Sequence, residues 1–274
     1  PNTAPEGTSS CKFWGLGADG TVGANKNSIK IIGDKTDMYA QAYFAYDSKK
    51  SGGLTTSHLR FGKNPIQSTY YITQADFVAC HQPAYIGKYD MVQDIKPGGS
   101  FLINCPWDVE ELGKRLSAEE KNYIAKNNIN VYTIDGIKIG KEIGLGGRIN
   151  TVLQSAFFKI ANIIPIEQAI EYMKEAAYKS YSKKGDAIVQ MNYAAIEAGA
   201  EGAVKVEIPA DWATTTEGFV PSGDKPEGLP AVVKYVEEVQ QPVNHQRGNK
   251  LPVSVFYEDA DGTVPQGTAA YEKR

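Results

Sequence analysis

Cysteine and histidine are scarce in this chain of 274 residues. It holds 3 cysteines, Cys11, Cys80 and Cys105, and 3 histidines, His58, His81 and His245, all scattered. No CxxC pair exists, so a zinc or iron–sulfur site built by this chain alone is not expected. The odd cysteine count and the lack of a recognisable secretory segment point to a reducing cytoplasm. Basic excess is also missing. There are 29 Lys and Arg against 32 Asp and Glu, a net charge of -3, which argues against a general nucleic-acid binder. Long apolar runs are absent too. The stretch 156–164 is interrupted by Lys159 and Asn162 and falls short of a membrane span. There is no internal repeat. The chain opens on Pro1 without Met and stops at Tyr271-Glu272-Lys273-Arg274, so it reads as a piece of a longer polypeptide.

What is present is ordinary for a globular protein: 42% hydrophobic and 22% charged residues. The length suits one large α/β domain, or one domain of about 200 residues with an appendage. Residues 1–10 have a linker composition. Strands are expected at 12–14, 38–46, 54–61, 75–81, 100–104 and 129–134. Helices are expected at 21–32 and 83–93, and from Ser117, where Glu120 three residues on completes a capping-box pattern. Residues 137–199 read as almost wholly helical, broken at 144–147, Pro165 and Gly185. Alternating strands and helices imply a three-layer α/β/α fold with a mostly parallel, Rossmann-like sheet. Composition changes around 209–230. We therefore expect an α/β domain over 1–210 and a small C-terminal segment over 220–274, the latter with one short helix and a strand at 251–257.

The strongest local signal is Gly15-x-Gly17-x-x-Gly20, after a strand and before a helix. In this pattern the first glycine permits a tight turn. The second lets a ligand approach the backbone, and the third allows close helix packing. The N–H groups of Gly20, Thr21 and Val22 would lie at the positive end of the helix dipole, ready for an anion. Gly23, Asn25 and Lys26 extend the polar edge. A nicotinamide site would want an acid at the end of the second strand, where Asp47 stands. Lys49, Lys50 and Ser51 follow at once, before Gly52-Gly53. Two ammonium groups there suit a phosphorylated ribose, either the 2′-phosphate of NADP or the 3′-phosphate of coenzyme A. Gly17-Ala18-Asp19-Gly20 departs from a thiamine diphosphate motif by its alanine.

The run Ser57-His58-Leu59-Arg60-Phe61-Gly62 reads as a strand, with His58 and Arg60 placed on opposite faces and His58 structural. Cys80-His81 ends a buried strand, where adjacent side chains diverge too far for a nucleophilic pair. Arg148, Asn150 and Gln154 follow Gly146-Gly147 at a helix start, in reach of an anion or an adenine, with ordinary capping as the alternative. No triad, carboxylate pair or metal cluster emerges, so no catalytic residue and no metal ligand is assigned.

Four stretches carry a resemblance: 15–26 (GLGADGTVGANK), 46–62 (YDSKKSGGLTTSHLRFG), 147–158 (GRINTVLQSAFF) and 267–274 (GTAAYEKR). In residues and order they resemble pyruvate:ferredoxin (flavodoxin) oxidoreductase. Residues from about 8 to 205 look like its gamma-type third domain. Residues from about 220 to 274 look like the segment ending in Glu-Lys-Arg that precedes a ferredoxin-like domain. The resemblance implies conversion of pyruvate and coenzyme A to acetyl-CoA and CO2, with electrons passed to ferredoxin or flavodoxin. It implies thiamine diphosphate, Mg²⁺ and [4Fe–4S] clusters in other domains of a homodimeric enzyme, and no turnover by this chain alone. It also implies that coenzyme A binds here. Asp19, Gly20, Thr21 and Val22 would meet its phosphates, Lys49, Lys50 and Ser51 its adenosine 3′-phosphate, and Arg148, Asn150 and Gln154 its adenine. Two other readings stay open: an autonomous NAD(P)-dependent dehydrogenase domain, and a structural spacer.

Overall fold

Strand β1 (Ser9–Leu16) is buried along its six central residues because it lies in the middle of a sheet with both faces covered. The computed structural model describes residues 2–47, 52–220, 225–256 and 260–272. After β1 come helix α1 (Thr21–Lys35), strands β2 (Tyr39–Tyr46), β3 (Leu54–Gly62), β4 (Ala75–Cys80) and β5 (Ile95–Asn104), and helices α2 (Val109–Gly113) and α3 (Ala118–Lys126). Strand β6 (Asn130–Ile134) is followed by α4 (Gly136–Ile143), α5 (Asn150–Ala161), α6 (Ile166–Tyr181) and α7 (Asp186–Glu201), then the two-residue strand β7 (Val204–Lys205). Helix α8 (Pro230–Tyr235) continues through a wider turn, Val236–Gln240, into α9 (Gln241–Asn244).

The strand order is β2-β3-β1-β4-β5-β6-β7. The pairs β1/β4, β4/β5 and β5/β6 are parallel, and β1/β3, β2/β3 and β6/β7 are antiparallel. Reversal at both β1/β3 and β3/β2 returns β2 to the direction of β1. Five strands therefore run the same way, and only β3 and β7 oppose them. The expected mostly parallel sheet is present, with an antiparallel hairpin on one edge. The carboxyl ends of β1, β4, β5 and β6 share one rim, so the loops that follow them converge there.

Two apolar cores lie on the two faces. On one, α1, α5 and α6 bury Phe157, Phe158, Ile31 and Ala169 against Phe13, Phe77 and Leu102 of the strands. The Phe157 ring stands 5.0 Å from Phe13, 5.2 Å from Phe77 and 5.1 Å from Phe158, all in the tilted or edge-on geometry aromatic quadrupoles favour. On the other face, Trp14, Val78, Phe101 and Ile103 meet Leu112 of α2, Ile124 of α3 and Trp212. The capping box at α3 is present: the Ser117 side chain accepts from the Glu120 N–H, and Glu120 accepts from the Ser117 N–H.

Several local expectations change. Residues 83–93 form two short turns, Pro83–Tyr85 and Val92–Asp94, rather than a helix. Gly87 between them sits at φ +77, where a Cβ would strike Phe219. The stretch expected as a strand at 251–257 holds a turn, Val253–Phe256, and Tyr257 lies outside the described residues. Val253 is 89% exposed, so this apolar run finds no sheet edge to join. His58 and Arg60 share a face of β3 instead of opposing each other. They are two residues apart, which is the period of a strand. The C-terminal segment packs against the turn region: Lys250 pairs with the buried Asp90 at 2.5 Å, and His245 Nδ1 lies 2.6 Å from the Lys88 carbonyl. No helix among the described residues is long and apolar enough to cross a membrane.

Phe157 joins helix α5 to two strands, so truncating it opens a cavity at the centre of one core. Phe157→Ala is expected to cost about 3–5 kcal/mol in urea unfolding. A loss below about 1 kcal/mol would contradict this packing.

Candidate functional site

The glycine-rich turn is shaped by what each glycine touches. A Cβ on Gly15 would lie 2.6 Å from Thr21 Oγ1, so only glycine lets the start of α1 settle on β1. The Gly17 N–H donates to the Gly53 carbonyl at 2.7 Å, and a Cβ there would stand 3.3 Å from that same oxygen. The second glycine thus admits the backbone of Gly53 while still bordering the cleft described below. Gly20 sits at φ +89 against Asn150, whose Cβ would be 3.0 Å from an added methyl. Ala18 holds φ +74 without being glycine, a strained conformation of the kind that concentrates at binding turns.

Asp19 fastens this turn. Its two carboxylate oxygens accept from the N–H groups of Leu16 and Thr21, both at 2.8 Å. The Thr21 N–H, expected to be open to an anion, is therefore occupied. Its hydroxyl is turned inward and lies 2.8 Å from His81 Nδ1. The N–H groups of Gly20, Val22 and Gly23 keep no backbone acceptor among the described residues, as the first turn of a helix requires. Asn25, expected on the polar edge, is 2% exposed, and its amide nitrogen has no partner.

Beneath the turn, His81 is buried beside Phe13 and its Nε2 has no partner. Burial lowers its pKa to about 4, against a smaller upward pull from Asp19. It is neutral at physiological pH. The His81 N–H donates to the Trp14 carbonyl, and its own carbonyl accepts from Asn104, whose Oδ1 takes the Gly136 N–H at 3.0 Å. This chain of bonds ties the ends of β1, β4 and β5 to the start of α4. Cys80 diverges from His81 as expected, its thiol directed at the Gln82 carbonyl.

Two clefts flank the start of α1. One, of about 390 Å³, is walled by Gly17, Asp19, Gly20 and Val22 on one side and by Tyr46, Asp47 and Gly53 on the other. The other, of about 330 Å³, lies between α1, α5 and α6 and is lined by Asn27, Asn150, Gln154 and Tyr181. Gly23 borders both. Gln154 is buried, and its amide donates to Asn27 Oδ1 and Ser28 Oγ at 2.9 and 3.0 Å. Arg148 is exposed and lines neither cleft. Lys49, Lys50 and Ser51 lie outside the described residues, although Asp47 and Gly53 on either side of that segment both line the first cleft. Sequence reasoning missed Tyr46 and His81, which reach the turn through tertiary packing, and Asn27, which lies on α1 itself and faces the second cleft. Among the described residues no three His, Cys, Asp or Glu side chains come together to hold a metal. The three thiols are buried, and burial raises the pKa of each.

Residues 10–202 match the family described as pyruvate ferredoxin/flavodoxin oxidoreductase, and residues 222–274 match a domain of unknown function. The chain is 54% identical over 273 residues to a pyruvate-flavodoxin oxidoreductase of Enterobacter agglomerans, covering 100% of this chain and 23% of that protein. It is 54% identical over 274 residues to a pyruvate:ferredoxin oxidoreductase of Moorella thermoacetica, again covering 100% of this chain and 23% of the relative. A crystal structure of a pyruvate oxidoreductase subunit from Thermotoga maritima shares the fold, with a TM-score of 0.60 at 17% identity, over 74% of this chain and 100% of that one.

The two buried imidazoles set a pH dependence. His81 and His58 have folded pKa values lowered by burial to about 4 and about 3, below the ordinary 6.5. As pH falls, the unfolded chain takes up these protons first. Stability is therefore lost from pH 6.5 down toward those folded values. Each tenfold difference in proton affinity between the folded and unfolded chain is worth about 1.4 kcal/mol. The urea midpoint is expected to drop across this window, and a His58→Asn/His81→Asn variant to show a flatter profile. Equal slopes in the two proteins would refute the buried neutral state.

Proposed function

The chain belongs to the pyruvate ferredoxin/flavodoxin oxidoreductase family, and we propose that it supplies the coenzyme A-binding domain of such an enzyme. One observation carries this reading: the cleft of about 390 Å³ between the glycine-rich turn and the ends of β2 and β3. Helix N-terminal N–H groups border it on one side, and the segment holding Lys49 and Lys50 joins its opposite wall in sequence. The N–H groups of Gly20 and Val22 would take the pyrophosphate oxygens. Gly17 and Asp19 would shape the turn, since a carboxylate repels phosphate and both Asp19 oxygens are engaged. Thr21 and Asn25 would support α1 from within. Lys49, Lys50 and Ser51 would meet the 3′-phosphate. Asn150 and Gln154 would border the adenine in the neighbouring cleft, and Arg148 would approach from the surface.

The chain spans 23% of the length of the relatives above. In the whole enzyme we assign pyruvate oxidation to acetyl-CoA and CO2, with electrons leaving to ferredoxin or flavodoxin. We assign thiamine diphosphate, Mg²⁺ and the [4Fe–4S] clusters to other domains of that polypeptide. We place the enzyme in the cytoplasm as a homodimer. This domain contributes binding and no catalytic group.

The test is calorimetric titration with coenzyme A, 3′-dephospho-coenzyme A, NAD and NADP. Coenzyme A is expected to bind, and removal of its 3′-phosphate to weaken it about ten-fold, the scale of a charge-assisted hydrogen bond. Lys49→Glu/Lys50→Glu should weaken coenzyme A at least as much without changing the melting temperature. NAD binding tighter than coenzyme A would favour a dehydrogenase. Coenzyme A affinity unchanged by the charge reversal would overturn the lysine assignment.

A further inference from the structure

On the sheet face away from α1, Arg60 is 3% exposed and carries a charge that no acidic side chain among the described residues balances. It lies in a cross-strand row, opposite Gln41 of β2 and Ser10 of β1. The guanidinium donates to Gln41 Oε1 at 3.4 Å, to the Ser68 carbonyl at 3.1 Å and to the Tyr70 carbonyl at 2.8 Å. It stands 4.7 Å from the centre of the Tyr70 ring. Every one of these partners is neutral. Those three bonds leave two of its five N–H donors, one on Nε and one on Nη2, unused. Asp76, which accepts from the Ser10 N–H, is already paired with Lys96 at 2.9 Å. Burial lowers the Arg60 pKa, and Tyr70 is the one ionisable neighbour that pulls it back up. Burial pushes the Tyr70 hydroxyl up, but the Thr3 bonds and the guanidinium act against it and bring it to about 8. At neutral pH the phenol is still mostly protonated, so it does not supply the missing negative charge.

Arg60 opens onto a cavity of about 590 Å³. Ser10, Tyr70, Tyr71, Thr73 and Gln74 contribute to its walls, and no Asp or Glu among the described residues lines it. A buried charge without a counter-ion is costly, and the cost is removed when an anion of matching geometry enters. We propose that this cavity binds a small organic carboxylate, whose oxygens take the unused N–H donors of Arg60. A single negative charge balances a single guanidinium, and a planar carboxylate matches the guanidinium fork. A phosphate dianion would overcompensate the charge. The Tyr71 and Ile72 side chains give the short organic part of the ligand apolar contact.

The experiment is an NMR titration of the ¹⁵N-labelled 274-residue chain with acetate, with neutral acetamide of the same shape, and with inorganic phosphate. Acetate is expected to produce saturable shifts at the Arg60 Nε–H and at the amides of residues 70–74, and acetamide none. Arg60→Gln should abolish the shifts. Because that variant also loses the bonds that hold the 68–70 loop, Gln41→Glu provides the second arm. It places a carboxylate where a neutral amide already meets the guanidinium. It should fold, melt at a higher temperature, and bind acetate about ten-fold more weakly. Acetamide binding as tightly as acetate, phosphate binding tighter than acetate, or Gln41→Glu leaving the acetate affinity unchanged would each overturn the proposal.

Discussion

The approach of α1 to the sheet at Gly15 is the constraint from which the site follows. Thr21 occupies the space a side chain at Gly15 would fill, and its hydroxyl meets His81 at the end of the neighbouring strand. Strand β1, the helix start and strand β4 are thereby fixed to one another at a single point on the carboxyl rim. The bonds from His81 to Trp14 and through Asn104 to Gly136 extend the fixation across the rim. The helix dipole is thus aimed at a defined place, not at a mobile loop.

Asp19 has a double consequence for an incoming anion. Its carboxylate consumes the Thr21 N–H and puts a negative charge beside the helix start. In exchange the turn is already folded, with Ala18 held at positive φ and Gly17 tied to Gly53. A ligand that binds there does not have to order the loop, and ordering even a few residues costs about 1–2 kcal/mol each. Under the coenzyme A reading proposed above, the turn would suit a ligand that places one of several separated negative charges at Gly20 and Val22.

The legible parts of the sequence were those governed by local rules. The capping box at Ser117, the glycine turn and the four long helices after residue 136 follow from residue chemistry within a few positions. The three-layer class follows from the alternation of elements. What was not legible depends on partners far away in the chain. The turns at 83–85 and 92–94 carry enough apolar residues for a helix, but Gly87 sits at positive φ with Phe219, more than a hundred residues later, filling the place of a side chain. Thr21 reads as a phosphate ligand from its position after Gly20 and is instead turned inward by His81. The two-residue β7 is too short for any periodicity to reveal.

The two faces of the sheet handle buried polarity in opposite ways, and this separates their roles. On the α1 face, Asn104, Gln154 and Ser28 find neutral partners inside the protein, while Asn25 Nδ2 and His81 Nε2 have none. On the other face, Lys12 pairs with Asp94 at 2.5 Å, and Lys250 of the C-terminal segment pairs with Asp90 at 2.5 Å. Each of these cations meets a carboxylate, and Asp90 also lies 4.0 Å from Arg247 Nε. Arg60 stands in the same layer, on the same strand face as His58, with carbonyls and an amide where its neighbours have carboxylates. Breaking a buried pair by removing one partner typically costs about 3–5 kcal/mol. A guanidinium built from the outset without its partner is therefore stable only where its surroundings solvate it or where the balancing charge comes from outside. The three neutral acceptors supply the first in part. The cavity beside it leaves room for the second.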